Sequence, residues 1–345
     1  MNEFDLLIIG SGPGGYVAAV RASQLGMKVA VVEKAETGGI CLNWGCIPTK
    51  ALLKSAQVLD YARHAADYGI NAGEAPAPDF GAVIARSRGV ADAMSKGVQY
   101  LFKKYNIPVI SGFGRLKGAG AVEVEAADGT KEKYSAKHII IATGARSREL
   151  PNLRQDGKKI IGYREAMTLP SLPASLVVVG SGAIGSEFAG FYRSMGTEVT
   201  LVEFMPRILP IEDEEVSRTL ERSFKKAKMK IMVNSTVEKV DTSGEKCIVT
   251  IKTPKGEEKV EADVVLSAVG ITPNLDGIGL EETGVKTERG KISVDEFYRT
   301  SVAGVYAIGD VVPGPALAHV ASAEAIVCVE KIAGHNPAPV DYTNI

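Results

Sequence analysis

Leu6-Leu7-Ile8-Ile9-Gly10-Ser11-Gly12-Pro13-Gly14-Gly15 runs four apolar residues straight into a turn with glycine at its first, third and sixth positions. A helical stretch follows to Gly26, and a second strand-like run ends at Glu33. The same order returns without a gap at an offset of 170: Leu176 to Val179, then Gly180-Ser-Gly182-Ala-Ile184-Gly185, then Gly196 and a strand ending at Glu203. A single glycine-rich turn arises easily by chance, whereas two in matched context indicate two βαβ units of the dinucleotide-binding kind.

Each position in the unit has a physical reason. The first glycine (Gly10, Gly180) permits the tight turn, the second (Gly12, Gly182) lets the backbone approach a pyrophosphate, and the third (Gly15, Gly185) lets the helix pack on its strand. The helix N-terminus then faces the phosphates. Glu33 and Glu203, at the ends of the second strands, are placed to accept from the hydroxyls of an adenosine ribose. The expected fold is α/β, with two Rossmann-like domains built on parallel sheets and accompanied by antiparallel meanders.

Between the two units lies Cys41-Leu-Asn-Trp-Gly-Cys46-Ile-Pro48-Thr-Lys50. Two thiols at this spacing, opening a helix with Pro48 in its first turn, can form a local disulfide that opens and closes, and Lys50 falls on the same helical face as Cys46. A zinc site would need a second pair of ligands. Cys247 sits alone in a strand-like run and Cys328 in a helical one, so no metal is expected. Four cysteines in 345 residues are also far too few for a disulfide-stapled chain.

A net charge of -1 from 40 basic and 41 acidic residues offers no general attraction to nucleic acid or to an anionic membrane. The apolar runs are too short to span a bilayer. The first strand starts close to Met1, which leads us to expect a cytoplasmic chain, or a matured form in the mitochondrial matrix.

Ala51 to Arg63 and Phe80 to Lys104 read as helices. Pro108 to Leu116, Ala121 to Ala126 and Glu132 to Tyr134 read as a small antiparallel meander, followed by a separate buried strand, His138 to Ala142, which ends at Thr143-Gly144. Residues 150–173 read as the crossover to the second unit. A charged helix is expected over about 212–228, with strands near Val237, Cys247 to Ile251 and Val264 to Val269. Val305-Tyr-Ala-Ile-Gly309-Asp310 places a carboxylate at the carboxyl edge of a sheet, where open α/β folds bind ligands. A turn or N-cap role for Asp310 is equally compatible with the sequence.

In order, these motifs resemble the flavoprotein disulfide reductases, and most nearly the dihydrolipoamide dehydrogenases. Ile40 and Thr49 stand where that family usually has Thr and Ser. The resemblance implies FAD in the first unit and NAD in the second. It divides the chain into an FAD domain (1–148 and 274–345) and an NAD domain (149–273). It assigns FAD contacts to Gly12, Gly14, Gly15, Glu33, Gly39, Lys50, Gly114, Gly144, Asp310 and Ala318, with Asp310 on the ribitol. NAD contacts fall on Gly182, Ile184, Glu187, Glu203, Val237 and Gly270. Cys41 becomes the thiol that meets substrate sulfur, Cys46 the thiolate against the flavin, and Glu187 the partner of Lys50. A carboxylate at Glu203 repels a 2′-phosphate and favours NAD over NADP, although Arg207 close by works against this.

The resemblance also implies a further, dimer-forming domain that supplies a His-Glu base. None of His64, His138, His319 or His335 has the neighbours for that role. The expectation is therefore an engineered truncation or a natural short form, monomeric or weakly dimeric, with low lipoamide activity and retained diaphorase activity. Lipoamide or the lipoyl domain of an acyltransferase is the implied partner of the longer enzyme. The alternatives are a mercuric- or glutathione-type reductase, or a non-catalytic docking subunit of an acyltransferase complex.

Overall fold

The computed structural model describes residues 3–71, 73 and 76–345. The chain divides into two compact units: Met1–Asn43 with Ala91–Arg146 and Thr272–Ile345, and Trp44–Val90 with Ser147–Ile271.

The first unit is built on a seven-stranded sheet. Its central strand Glu3–Ile9 pairs in parallel with Val29–Glu33 on one side and with Lys131–Ile141 on the other. Leu6 to Ile9 are at most 3% exposed, because a parallel strand covered on both faces needs an unbroken apolar run. Val305–Ala307 adds to the same sheet through Lys131–Ile141, and this brings Gly309-Asp310 to the edge where the glycine turn also lies. Helix Pro13–Gln24 packs along helix Ala318–Ile332, and Arg21 and Glu330 pair between them at 2.6 Å. Leu7, Ile9, Ile139, Ile141, Val305 and Ala307 belong to the core of this unit.

Two sequence expectations change here. The runs read as Glu132–Tyr134 and His138–Ala142 are one strand, Lys131–Ile141. Its charged first half is antiparallel to Ala121–Glu125, and its apolar second half is parallel to Glu3–Ile9. No glycine or proline interrupts it. Val109–Ser111 also leaves the expected meander and pairs in parallel with Val29–Glu33.

The second unit carries a five-stranded parallel sheet in the order Lys230–Met232, Glu198–Val202, Ser175–Val179, Val264–Ser267, Ile160–Ile161. A three-stranded antiparallel sheet of Thr236–Asp241, Cys247–Thr253 and Gly256–Ala262 accompanies it. The last of these strands is mostly exposed and charged, with only Val260 and Ala262 reaching the core, so its apolar alternation is too short to read. The charged helix spans Glu214–Lys226, and Asp213 caps it by accepting from Glu215 N and Val216 N.

Helix Cys46–Arg63 packs on helix Ala183–Met195. Leu52, Ala56, Leu59 and Phe80 share one core with Phe188, Phe191 and Tyr192. Segment Trp44–Val90, which the sequence reading leaves in the first domain, therefore groups with the second unit.

Candidate functional site

The two glycine turns have the same local geometry. Gly10 and Gly180 hold φ values of 105° and 96°, and a Cβ on either would fall 2.2 or 2.4 Å from the carbonyl oxygen of Ala142 or Ala268. At Gly15 and Gly185 a Cβ would fall 1.9 Å from the carbonyl oxygen of Gly10 or Gly180. Only glycine lets each helix start this close to its own turn. Helices Pro13–Gln24 and Ala183–Met195 begin at Gly12 and Gly182 with no side-chain cap, so their first N–H groups stay available to an anion.

The terminal glutamates are tied to these turns. Ser11 N and Oγ donate to Glu33 Oε2 at 2.8 and 2.6 Å, and Ala35 N donates to Oε1 at 2.9 Å. Ser181 N and Oγ repeat this on Glu203 Oε2 at 2.8 and 2.6 Å, with Met205 N on Oε1 at 2.9 Å. Sequence reasoning passed over both serines, although the repeat itself, Gly-Ser-Gly answered by a glutamate 22 residues on, carries the signal. Ser11 Oγ also accepts from Gly38 N at 3.1 Å. Next to it, Gly39 lies so close that a Cβ there would meet Gly12 Cα at 2.6 Å.

The units differ where their coverage differs. A Cβ on Gly14 would press on Ile308 at 3.1 Å and on the Ala321 carbonyl at 3.4 Å, whereas the equivalent Ile184 is 38% exposed. In the first unit the Ile308 side chain and the helix Ala318–Ile332 leave little room for a side chain at that position.

Other expected residues of the first unit gather around the same sheet edge. Gly114 is pressed against Ile9 and Val32. Thr143 Oγ1 donates to the Asn274 carbonyl at 2.8 Å, and Asn274 N donates back to Gly144 O at 2.9 Å. Asp310 lies in the short 3-10 turn Gly309–Val311, whose N-cap position is Ile308, so the N-cap reading of Asp310 does not hold. Its carboxylate has no hydrogen bond among the described residues, and burial raises its pKa, with Lys291 opposing. Ala318 opens the last helix. Cys41 lies half-buried in the short helix Gly39–Asn43. Burial, and after it the charge of Cys41, raises the pKa of Tyr16, a residue that directly follows the glycine turn and that sequence reasoning did not single out.

In the second unit Cys46 is exposed at the start of helix Cys46–Arg63. One turn on, Lys50 Nζ donates to Glu187 Oε1 at 2.5 Å. With Lys50 61% exposed, such a pair contributes at most about 1 kcal/mol, so its importance is placement. The Trp44 ring lies under the guanidiniums of Arg88 and Arg164, at 4.1 and 5.0 Å. Arg207 donates to the carbonyls of Pro210 and Glu212 at 3.2 and 3.3 Å, so its guanidinium is engaged within its own loop. The side chain of Val237 is buried and its carbonyl accepts from Asn152 Nδ2 at 2.7 Å. Gly270 takes φ 107° with open space where a Cβ would stand. Among the described residues no cluster of His, Cys, Asp and Glu could hold a metal ion, and no helix is long and apolar enough to cross a membrane.

Two glycine turns with uncapped helix starts, each backed by a fixed carboxylate, fit two dinucleotides. Residues 4–325 match the pyridine nucleotide-disulphide oxidoreductase family, and this chain belongs to it. Within the family it resembles the dihydrolipoyl dehydrogenases, which use FAD and NAD(H). It is 49% identical to the dihydrolipoyl dehydrogenase of Rhizobium etli over 96% of this chain and 72% of that protein. It is 42% identical to the mitochondrial dihydrolipoyl dehydrogenase 2 of Arabidopsis thaliana over 100% of this chain and 68% of that one. The crystal structure of LpdA from Mycobacterium tuberculosis superposes with a TM-score of 0.90 at 30% identity, over 99% of this chain and 74% of the other.

Proposed function

We propose that the chain exchanges electrons between NAD(H) and a dithiol of the dihydrolipoamide type, with FAD held by 1–148 and 274–345 and NAD by 149–273. The observation that carries this reading is the Lys50–Glu187 ion pair at 2.5 Å, on the helix that Cys46 opens. It fixes a cation one helical turn from a thiol of the Cys-x4-Cys motif. FAD, when bound, supplies the two-electron relay between a nicotinamide and a disulfide.

The chain's own residues do the rest. Gly12, Gly15 and the first turn of helix Pro13–Gln24 hold a pyrophosphate, Glu33 takes a ribose, and Asp310 offers its unengaged carboxylate to a polyol hydroxyl. Gly182, Gly185 and Glu203 do the same for NAD, and Glu203, with the Arg207 guanidinium engaged by the carbonyls of Pro210 and Glu212, selects against a 2′-phosphate. Lys50 holds its positive charge beside the thiolate of Cys46 and lowers the cost of keeping it ionised.

Once Cys41 and Cys46 are joined as a disulfide, one substrate thiolate attacks the Cys41 sulfur and expels the Cys46 thiolate. The second substrate thiolate then attacks the substrate sulfur of that mixed disulfide and expels Cys41. Substrate leaves as a disulfide, the cysteine pair is left reduced as two thiolates, and the two protons given up by the substrate thiols pass to a base or to solvent. The partner is lipoamide or a lipoyl domain.

The test is an anaerobic NADH titration of the flavin-loaded protein, followed by absorption. A long-wavelength band from a Cys46 thiolate against the flavin is expected, and Cys46→Ser should abolish it. Flavin that bleaches directly without that band would reject the cysteine roles. A docking subunit would keep its function in the Cys46→Ser variant.

A further inference from the structure

Glu324 is buried to 1% exposure on helix Ala318–Ile332, yet nothing in the reaction above uses it. Both of its oxygens are engaged. Gly309 N donates to Oε2 at 2.6 Å, and the Tyr342 hydroxyl donates to Oε1 at 2.7 Å. The Tyr342 hydroxyl also lies 3.0 Å from that of Tyr298. Tyr298 is buried and takes φ 65°, a left-handed conformation that costs a bulky residue energy and persists only where its surroundings impose it.

The imposition is visible. Asp295 Oδ1 accepts from Phe297 N and Arg299 N, both at 2.9 Å, and the Tyr298 amide donates to the Asp295 carbonyl at 3.0 Å. The Tyr298 carbonyl in turn accepts from Ala307 N at 3.1 Å, on the strand that delivers Gly309. A carboxylate placed in an apolar interior needs its oxygens satisfied, and here one of the two groups that satisfy them is the amide of the Ile308–Gly309 peptide, one residue before Asp310.

We propose that Glu324, braced by Tyr342 and Tyr298, is a positioning residue that fixes the Ile308–Gly309 peptide at the start of the Gly309–Val311 turn and so aims the Asp310 carboxylate at the polyol chain of the flavin cofactor. The proposal rests on the reading that FAD binds this unit with Asp310 on its ribitol. Glu324 itself touches only protein. Its Oε2 holds the amide of Gly309, a residue with φ 75°, and so sets the direction in which the next side chain leaves the turn.

The experiment compares wild type, Glu324→Leu, Glu324→Gln, Tyr342→Phe and Asp310→Asn, each stripped of flavin and titrated with FAD. It reads the FAD dissociation constant, the flavin midpoint potential and the thermal midpoint. Glu324→Leu should weaken FAD on the order of tenfold or more and shift the potential, in the same direction as Asp310→Asn. Tyr342→Phe should do so less. Glu324→Gln should restore most of the affinity, because its carboxamide oxygen still accepts from Gly309 while its nitrogen donates to a turned Tyr342 hydroxyl.

If Glu324→Leu does not fold, the Tyr342→Phe and Glu324→Gln pair decides. Variants that lower the thermal midpoint while FAD affinity and potential stay at wild-type values, with Asp310→Asn still impaired, would overturn the positioning role and leave the cofactor reading standing. Wild type that takes up no FAD, or Asp310→Asn that binds it as wild type does, would overturn both.

Discussion

A carboxylate sealed as deeply as Glu324 must leave a signature in the pH dependence of stability. Burial raises its pKa above the ordinary 4.5, with the charge of Asp310 adding to the rise, while the bonds from Gly309 and Tyr342 and the charge of Lys291 oppose it. A carboxylate whose folded pKa lies above its unfolded one stabilises the fold fully below the unfolded value, and this contribution is lost as pH rises through the folded value. Glu324→Gln has no such loss. Its stability relative to wild type should therefore climb as pH rises from 4.5 through the raised value and then level off. Urea midpoints of the two proteins across that range measure it, and a pH-independent difference would show that Glu324 is not strained by burial. At this same scale the sequence was least informative. Gly309, Glu324 and Tyr342 meet one another and the Asp295–Tyr298 turn only through the fold, and no spacing announces them. The Ser11 and Ser181 locks on Glu33 and Glu203 were legible in principle, since the repeat prints them twice.

Among elements, helix Ala183–Met195 contains its own controlled comparison. Gly185 lies where a Cβ would stand 1.9 Å from the Gly180 carbonyl, whereas a Cβ on Gly190 would meet Phe224 at an ordinary 3.7 Å. Gly185→Ala must push the helix off its strand, and it should cost about 1–3 kcal/mol or more and weaken NADH binding. Gly190→Ala should stabilise the protein by about 0.5–1 kcal/mol and leave NADH binding alone, because a helix-interior glycine is replaced at no steric cost. Chemical denaturation of both variants, with NADH titrations, checks the pair; equal destabilisation would mean that the turn can relax. Elements built on an unbroken apolar run, such as Glu3–Ile9 and Ser175–Val179, were readable from sequence because a parallel strand covered on both faces needs such a run. Two kinds of element were not. Lys131–Ile141 changes from antiparallel to parallel pairing without a break, so its two halves carry different patterns and read as two strands. Gly256–Ala262 is exposed over most of its length and reaches the core only through Val260 and Ala262, so pairing with Cys247–Thr253 does more to place it than pattern.

For the whole molecule, the fold puts each dinucleotide turn in a unit with a core of its own, one around Leu7, Ile9, Ile139 and Ile141, the other around Phe188, Phe191 and Tyr192. A ligand stabilises only the folded form of what it binds, by about 2.7 kcal/mol at a hundred times its dissociation constant. The chain contains a single tryptophan, and it belongs to the second unit. Trp44 emission thus follows that unit, while the fluorescence of released flavin follows the first. On this assignment excess NAD should raise the urea midpoint of the Trp44 transition and leave that of flavin release nearly in place. Excess FAD should do the reverse. The result also bears on segment Trp44–Val90, which sequence order attaches to the first domain and packing attaches to the second. Its helix buries Leu52, Ala56 and Leu59 in the core of Phe188 and Tyr192, so Trp44 should lose its native emission together with the NAD-binding fold. A Trp44 transition that tracks FAD and ignores NAD would place the cysteine helix energetically with the first unit, and would overturn the division drawn from packing.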